Sequence, residues 1–332
     1  MSTSPPYAAL VGALAALMLA AFVASVTIGY AAIDVGGALA DLLAGGTSLG
    51  ALVLTELRLP RAIMGALVGF SLGLAGAAMQ GLLRNPLADA GVIGVSGAAA
   101  FGAVMAFYSG LSASFGLALP IGGFLGAGVA VALLYALAGR GSATMTLILA
   151  GVAINSLAGA LTALALNLSP NPYAATEVMF WLMGSLADRS MTHVQLAAPL
   201  LISGWLLILV SAPALDALSL GEDTATSLGF DMGRVRLLLI VGTALSVGAS
   251  VAVAGAIGFI GLVVPHLLRP LVGGRPGRLL LVSGLGGAAL VLAADIAVRL
   301  VGLRPELKLG VVTALIGAPF FLVLLWRLRR EA

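Results

Sequence analysis

The longest stretch without a charged side chain runs from Ala90 to Gly139 and reads AGVIGVSGAAAFGAVMAFYSGLSASFGLALPIGGFLGAGVAVALLYALAG. A helix needs about 20 mainly apolar residues to cross a bilayer, so this stretch is long enough to cross twice. Pro120 and the small residues from Ser112 to Gly116 indicate where the chain turns back. The stretch therefore predicts two neighbouring membrane spans.

The whole chain has the composition that this stretch suggests. Of 332 residues, 9% are charged and 61% are apolar, and the mean hydropathy is +1.16. Soluble domains carry about 25% charged residues, and disordered chains need low hydrophobicity. Both classes are excluded, and the sequence predicts an all-α, polytopic membrane protein.

The composition also excludes several kinds of chemistry. The chain has no cysteine, so disulfides, thiolate metal sites and cysteine nucleophiles are ruled out. No Gly-Lys-Ser/Thr triplet occurs, so a phosphate-binding P-loop is absent from the sequence. A net charge of +3 is too dilute for a nucleic-acid partner. The two histidines have no second ligand at metal spacing. We expect no metal and no bound cofactor, and any use of ATP has to rely on another chain.

Dividing the sequence into the uncharged segments between its charged residues predicts about ten membrane spans in a single domain, 1–332. The eighth is too short to cross alone and follows a glycine-rich segment, Gly255 to Gly261, so we interpret this region as a broken helix packed inside protein. Glycine stripes such as Gly65, Gly69 and Gly73 predict close helix contacts. The expected spans are 8–29, 62–82, 92–109, 117–138, 143–166, 195–213, 235–254, 259–272, 279–301 and 309–327.

Basic residues predict the orientation of the chain, because cytoplasmic loops are enriched in Lys and Arg. With both termini inside the cell, ten of the sixteen basic residues are cytoplasmic and six are external. This favours a multi-pass membrane protein, in contact with lipid, with both termini in the cytoplasm.

Ionisable residues are scarce within the expected spans. Asp295 is the exception, and Arg299 follows four residues later on the same helix face, which predicts a local ion pair. Ion-coupled carriers keep ionisable groups in the membrane to bind the coupling ion. The scarcity of such groups argues against an ion-driven carrier.

The loop between the sixth and seventh spans predicts a short helix outside the bilayer. Ser219 and Glu222 have the spacing of a capping box, and Gly229 has the position of a helix stop. Small residues such as Ala225 lie at its middle. The segment 219–229 is therefore expected to form a rigid projection that fits a cleft on another protein.

Several motifs, in a fixed order from about residue 55 to 320, make this chain similar to a known family. They are Arg58-Leu-Pro-Arg61, Gln80-Gly-Leu-Leu-Arg-Asn-Pro-Leu-Ala88, Gly91-Val-Ile-Gly-Val-Ser-Gly97, Phe180-Trp-Leu-Met-Gly184, Gly255-Ala-Ile-Gly-Phe-Ile-Gly-Leu-Val-Val-Pro-His266 and Gly310-Val-Val-Thr…Gly317-Ala-Pro319. The sequence resembles the FecCD-like permease subunits of type II ABC importers, which carry iron–siderophore complexes, haem and vitamin B12.

The resemblance implies partners and a role for each site. It implies a non-catalytic subunit with ten helices, a second identical subunit, two cytoplasmic ATPase subunits that bind ATP and Mg²⁺, and a periplasmic or extracellular substrate-binding protein. It assigns ATPase coupling to the 219–229 helix, with Ser219, Leu220, Gly221, Glu222, Ala225, Leu228 and Gly229. It assigns docking of the binding protein to Arg58, Arg61 and Arg299, and it places Asn85, Leu87, Ser142, Thr144 and Asn155 along the translocation path and its gate.

The sequence thus favours an importer permease for a bulky metal chelate, either an iron siderophore or haem. A vitamin B12 permease is the alternative, and an ion-coupled secondary transporter is a more remote one. The path residues include no fixed charge that would identify the solute.

Overall fold

The computed structural model describes residues 6–30, 33–138, 144–169, 171–303 and 305–331, and within these ranges every regular element is helical. The helices are α1 (Tyr7–Thr27), α2 (Val35–Leu43), α3 (Leu49–Leu52), a π-helix (Val53–Arg58), α4 (Leu59–Leu82), a 3₁₀ helix (Ala90–Ile93), α5 (Val95–Tyr108), α6 (Leu111–Ser114), α7 (Ala118–Ala138), α8 (Thr144–Asn167), α9 (Pro172–Leu182), α10 (Met191–Val210), α11 (Ala212–Leu218), α12 (Glu222–Ser227), α13 (Met232–Ala254), α14 (Ile260–Leu268), a 3₁₀ helix (Arg269–Val272), α15 (Pro276–Val301) and α16 (Leu309–Glu331).

The predicted all-helical architecture is confirmed, and the predicted count of ten spans is close. In the described part of the chain, seven helices are long and apolar enough to cross a membrane, and three shorter apolar helices cover 95–108, 260–272 and 309–324. Each coincides with one of the ten expected spans. The short helices between the spans, such as α2 and α9, were not predicted because each is too short to give a clear apolar period.

Three helices, α4, α13 and α15, form the buried centre of the bundle, and α1, α7, α8 and α10 lie mostly at its surface. The predicted glycine contacts hold this centre together. A Cβ added at Gly69 or Gly73 would overlap the backbone of α15 at Ser283 to Ala288. Contact between apolar helices in a bilayer gains little from the hydrophobic effect, because the lipid tails are as apolar as the helices. Van der Waals contact between closely packed backbones has to stabilise the contact instead.

The predicted break after α13 is confirmed. Gly255 (φ +71°) and Phe259 (φ +68°) have positive φ angles, and the chain is not helical between them before α14 begins. Backbone groups from the end of α9 and the loop after it pair with the start of this break: Ser185 N–H donates to Ala254 O at 2.7 Å, and Ala256 N–H donates to Leu182 O at 3.3 Å. Non-helical backbone at membrane depth is tolerated because protein supplies these partners.

Candidate functional site

Helix α12, expected to couple the chain to a partner, projects from the loop between α10 and α13. Glu222 and Asp223 occupy its first turn, where negative charge stabilises the helix start. At the other end, Gly229 (φ +89°) donates to Thr226 O at 2.9 Å, and Phe230 N–H donates to Ala225 O at 3.1 Å. This pair of bonds is a Schellman motif. A short helix with a glycine stop is present, but it covers Glu222–Ser227 and not the whole of 219–229, and its coupling role stays a prediction.

The predicted capping box is wrong. Ser219 ends the preceding helix α11, and its hydroxyl donates back to Asp216 O at 2.6 Å. Gly221 (φ +116°) is the residue before α12, so no side chain caps the helix start. The sequence pattern failed because α11 extends to Leu218, which holds Ser219 in a helical conformation instead of the extended conformation of an N-cap.

Helix α12 is fixed to the bundle on one side and exposed on the other. Ala225 is fully buried, and the Glu222 carboxylate accepts a hydrogen bond from the Arg236 guanidinium of α13 at 2.6 Å. Leu220 is 70% exposed and Leu228 is 62% exposed. Two exposed leucines beside a rigidly held helix form a surface suited to a partner's cleft.

The three arginines assigned to docking lie together at the opposite end of the bundle, which we call the Arg61 end. Arg61 binds Asp295 through Nε at 3.0 Å to each oxygen and through a second nitrogen at 2.7 Å, and it also binds Glu306. Arg299 contacts Asp295 at 3.1 Å, which confirms the predicted ion pair. These four residues form the Arg61 cluster. They join the start of α4, the end of α15 and the loop before α16.

The side chains of all three arginines bind groups within the protein. Arg58 and Arg299 are buried, and both donate to carbonyl oxygens at the end of α1: Arg58 to Thr27 O at 2.6 Å, and Arg299 to Ile28 O at 2.6 Å. The last carbonyls of a helix lack internal partners and attract cations, which explains why the arginines turn inward. Their role in docking stays a prediction.

The residues assigned to the path and gate are spread over several elements. Asn85 is exposed, and its side-chain oxygen accepts from Leu87 N–H at 2.9 Å, which fixes the turn after α4. Asn155 is exposed on α8 and faces Gly97 of α5. Thr144 is the first residue of α8, and Ser142 lies outside the described residues. The contacts of these residues do not assemble them into one site, so the gate stays a prediction.

The sequence did not indicate a polar bridge between α4 and α14. The Gln80 amide lies 3.4 Å from the carbonyl oxygens of Gly261 and Leu262, and its oxygen accepts from the Arg269 guanidinium at 2.6 Å. A signal was available in Pro265, because proline has no N–H and leaves the carbonyl of Gly261, four residues earlier in α14, without its helical partner.

Asp89 was also missed. Its carboxylate lies beside Gly261, and burial raises the pKa of Asp89, although the N–H groups of Ala90 and Gly91 act in the opposite direction. Because Asp89 lies in a loop, its sequence position suggested a solvated charge.

The histidines have local structural contacts. His193 Nδ1 lies 2.9 Å from Ser190 Oγ and completes a capping box at the start of α10, and the His266 ring packs against Phe320. Within the described ranges, no three potential ligands from His, Cys, Asp and Glu gather at metal-binding distance.

A bundle of this kind, with seven described helices long and apolar enough to cross a bilayer, is that of a multi-pass membrane protein. The family model of the FecCD transport family matches residues 17–327. The chain belongs to the FecCD transport family of ABC transporter permeases.

Named relatives and a solved structure agree with this assignment. The chain is 44% identical over 276 residues to the vitamin B12 import system permease protein BtuC of Vibrio cholerae, covering 82% of each chain. It is 37% identical over 280 residues to the hemin transport system permease protein HmuU of Yersinia pestis, covering 83% of this chain and 84% of the relative. A solved structure described as an inward-facing conformation of a metal-chelate type ABC transporter matches with a TM-score of 0.84 and 31% identity, covering 97% of this chain and 99% of the other.

Proposed function

We propose that this chain is the translocation subunit of an ABC importer that carries a bulky metal chelate, haem or an iron siderophore, across a bacterial inner membrane. Cobalamin is the alternative cargo. The relatives named for hemin and for vitamin B12 support the class of cargo, and their comparable similarity to this chain leaves its identity to experiment. Both termini lie in the cytoplasm in this proposal.

The proposal divides the work among several chains. This subunit supplies a gated path and pairs with a second copy of itself. Two cytoplasmic ATPase subunits bind ATP and Mg²⁺, and an external binding protein selects the cargo. The chain binds no cofactor and catalyses no reaction, so its contribution is the shift between outward-open and inward-open states.

The observation that carries the proposal is the attachment of α12 to α13. The Glu222–Arg236 ion pair and the buried Ala225 make α12 a rigid extension of the bundle. From there α13 runs to Ala254, and the broken segment 255–259 follows directly. A displacement of α12 by a partner would therefore reach the break at the other end of α13 through one continuous helix.

The experiment is ATP-driven uptake by proteoliposomes that contain the complete transporter. Leu228→Asp places a charge on the exposed side of α12 without touching the bundle core. We expect the variant complex to insert normally and to hydrolyse ATP, with uptake lowered at least tenfold. Leu43→Asp is the matched control, because Leu43 is 84% exposed on α2, remote from α12 in the sequence. Its uptake is expected to stay at the wild-type level.

Two outcomes would contradict the proposal. Full uptake by Leu228→Asp would remove the coupling role of α12. Concentrative uptake by this chain alone, driven by an ion gradient in the absence of ATPase and binding protein, would favour the secondary transporter. Parallel assays with haemin, a ferric siderophore and cobalamin identify the cargo.

A further inference from the structure

A cavity of about 290 Å³ lies at the Arg61 end, between α5, α9, the loop 183–190 and the loop before α16. None of the residues assigned to coupling, docking or the gate lines it. Its volume is near the lower limit of small-molecule sites. It can hold a group of the size of one or two fused rings.

Two cations line this cavity without a carboxylate partner. Arg189 donates through Nε to Ala187 O at 3.1 Å, and no described residue binds its other two nitrogens. The Lys308 ammonium lies 5.7 Å from the centre of the Phe180 ring and makes no ion pair with a described residue. Both side chains are half-buried, and burial lowers the pKa of Arg189. A cation held away from water and left unpaired attracts an anion strongly.

The acids around the cavity do not cancel this charge. Glu177 and Asp188 also line it, and Asp188 raises the pKa of Arg189 against the larger effect of burial, but both acids are exposed and neither forms an ion pair with Arg189 or Lys308. Water screens exposed charges more than partly buried ones. The interior of the cavity is therefore more favourable for an anion than for a cation.

Aromatic side chains form much of the remaining wall. Phe107, Phe180 and Trp181 line the cavity together with small apolar residues such as Ala103 and Ala254. Ring faces pack well against flat ligands. The cations of the cavity match a negatively charged group, and the aromatic side chains match a flat ring, so the lining favours a ligand that has both.

We propose that this cavity binds a carboxylate carried on an aromatic or macrocyclic ring. The Arg189 nitrogens and the Lys308 ammonium would hold the carboxylate, while Phe107 and Trp181 contact the ring. The further step, that the ring is the edge of an anionic metal chelate entering the path, rests on the proposed function. It favours haem, with its propionate groups, over cobalamin, which has no free carboxylate.

The primary test is calorimetric titration of the full chain in lipid nanodiscs with 1-naphthoate. The neutral 1-naphthamide has nearly the same shape and lacks the charge. We expect naphthoate to bind at least tenfold more tightly than naphthamide, because hydrogen bonds to a charged carboxylate are stronger than those to a neutral amide. Equal affinities would overturn the proposal and would attribute binding to partitioning into apolar surface.

Variants identify the cations. Arg189→Gln and Lys308→Gln are each expected to weaken naphthoate binding about tenfold and to leave naphthamide unchanged. Glu177→Gln removes an exposed acid and should leave naphthoate binding equal or tighter. Arg275→Gln changes an exposed arginine far from the cavity and should have no effect. Wild-type naphthoate affinity in both cation variants would overturn the site. If one variant fails to fold, the other variant and the naphthamide comparison decide.

Competition with whole chelates separates this site from the proposed function. Haemin is expected to displace naphthoate, and cyanocobalamin is not; displacement by cyanocobalamin alone would overturn the preference for anionic chelates. These titrations need no ATP, ATPase or binding protein. Naphthoate binding without ATP-driven uptake would support the cavity site and contradict the proposed function. ATP-driven uptake without naphthoate binding would support the proposed function and contradict the cavity site.

Discussion

Asp295 is the residue on which the Arg61 end depends most. It is almost fully buried and neutralises two guanidinium groups, those of Arg61 and Arg299. Removing one partner of a buried ion pair leaves an uncompensated charge and costs about 3–5 kcal/mol. We therefore expect Asp295→Asn to lower the thermal stability of the purified protein strongly, measured by heat-induced loss of the monodisperse fraction in detergent.

Glu306 offers a control within the same cluster. It binds the same guanidinium of Arg61 but is more exposed than Asp295, and Arg61 retains Asp295 when Glu306 loses its charge. Glu306→Gln is expected to destabilise the protein less than Asp295→Asn, by at most about 1.5–3 kcal/mol, because the amide oxygen still accepts a hydrogen bond from Arg61. Equal destabilisation by the two variants would show that Asp295 has no special role in holding the cluster.

Asp89 allows a prediction about pH. Burial raises the pKa of Asp89 above its unfolded value of about 4. The native state therefore binds the proton more tightly than the unfolded state, and its stability falls as pH rises from about 4 through the native pKa. Asp89→Asn removes this dependence.

The measurement is the melting temperature of Asp89→Asn minus that of the wild type. We expect this difference to increase from pH 4 to pH 7, because only the wild type loses stability through this group. Taking the difference between the two melting temperatures at each pH cancels the contribution of all other titratable residues. A difference that is constant across this range would contradict a raised pKa.

At the scale of single elements, close contact between helices depends on particular glycines. A Cβ at Gly76 of α4 would overlap the backbone of Gly261 at the start of α14. Because backbone cannot move as a side-chain end can, Gly76→Ala is expected to destabilise the protein by about 1–3 kcal/mol or more, measured by the same thermal assay.

Gly159 of α8 is the matched control for Gly76. A Cβ there would meet nothing within 4 Å. Gly159→Ala should be neutral or stabilise the protein by up to about 1 kcal/mol, since alanine favours the helix. Similar losses in both variants would indicate that helix flexibility, and not the contact with α14, requires glycine.

At the scale of the whole molecule, the orientation in the membrane is open to a direct test. The native chain has no cysteine, so single cysteines can be introduced without a background. Ser227→Cys on α12 and Tyr173→Cys on α9 are both at exposed positions. A membrane-impermeant maleimide added to intact spheroplasts should label Tyr173→Cys and leave Ser227→Cys unlabelled until the membrane is disrupted. The opposite pattern would reverse the proposed topology.

Four features were predictable without a structure: the class of protein, the ten apolar segments, the break at Gly255 and the helix at α12. These features follow from local properties: uncharged length sets a span, and Gly229 stops a helix wherever the chain needs a left-handed residue. The Asp295–Arg299 pair was also predictable, because four residues along a helix bring two side chains together.

The burial of the charged side chains and their binding partners could not be predicted, because they depend on how distant helices pack. Arg61 meets Asp295 across 234 positions of sequence, and Arg58 and Arg299 turn inward because the end of α1 happens to present carbonyl groups beside them. The burial of Asp89 and the convergence of Arg189 and Lys308 on one cavity likewise depend on distant elements. Electrostatic free energy depends on distance and solvent exposure, and neither quantity is local in the sequence.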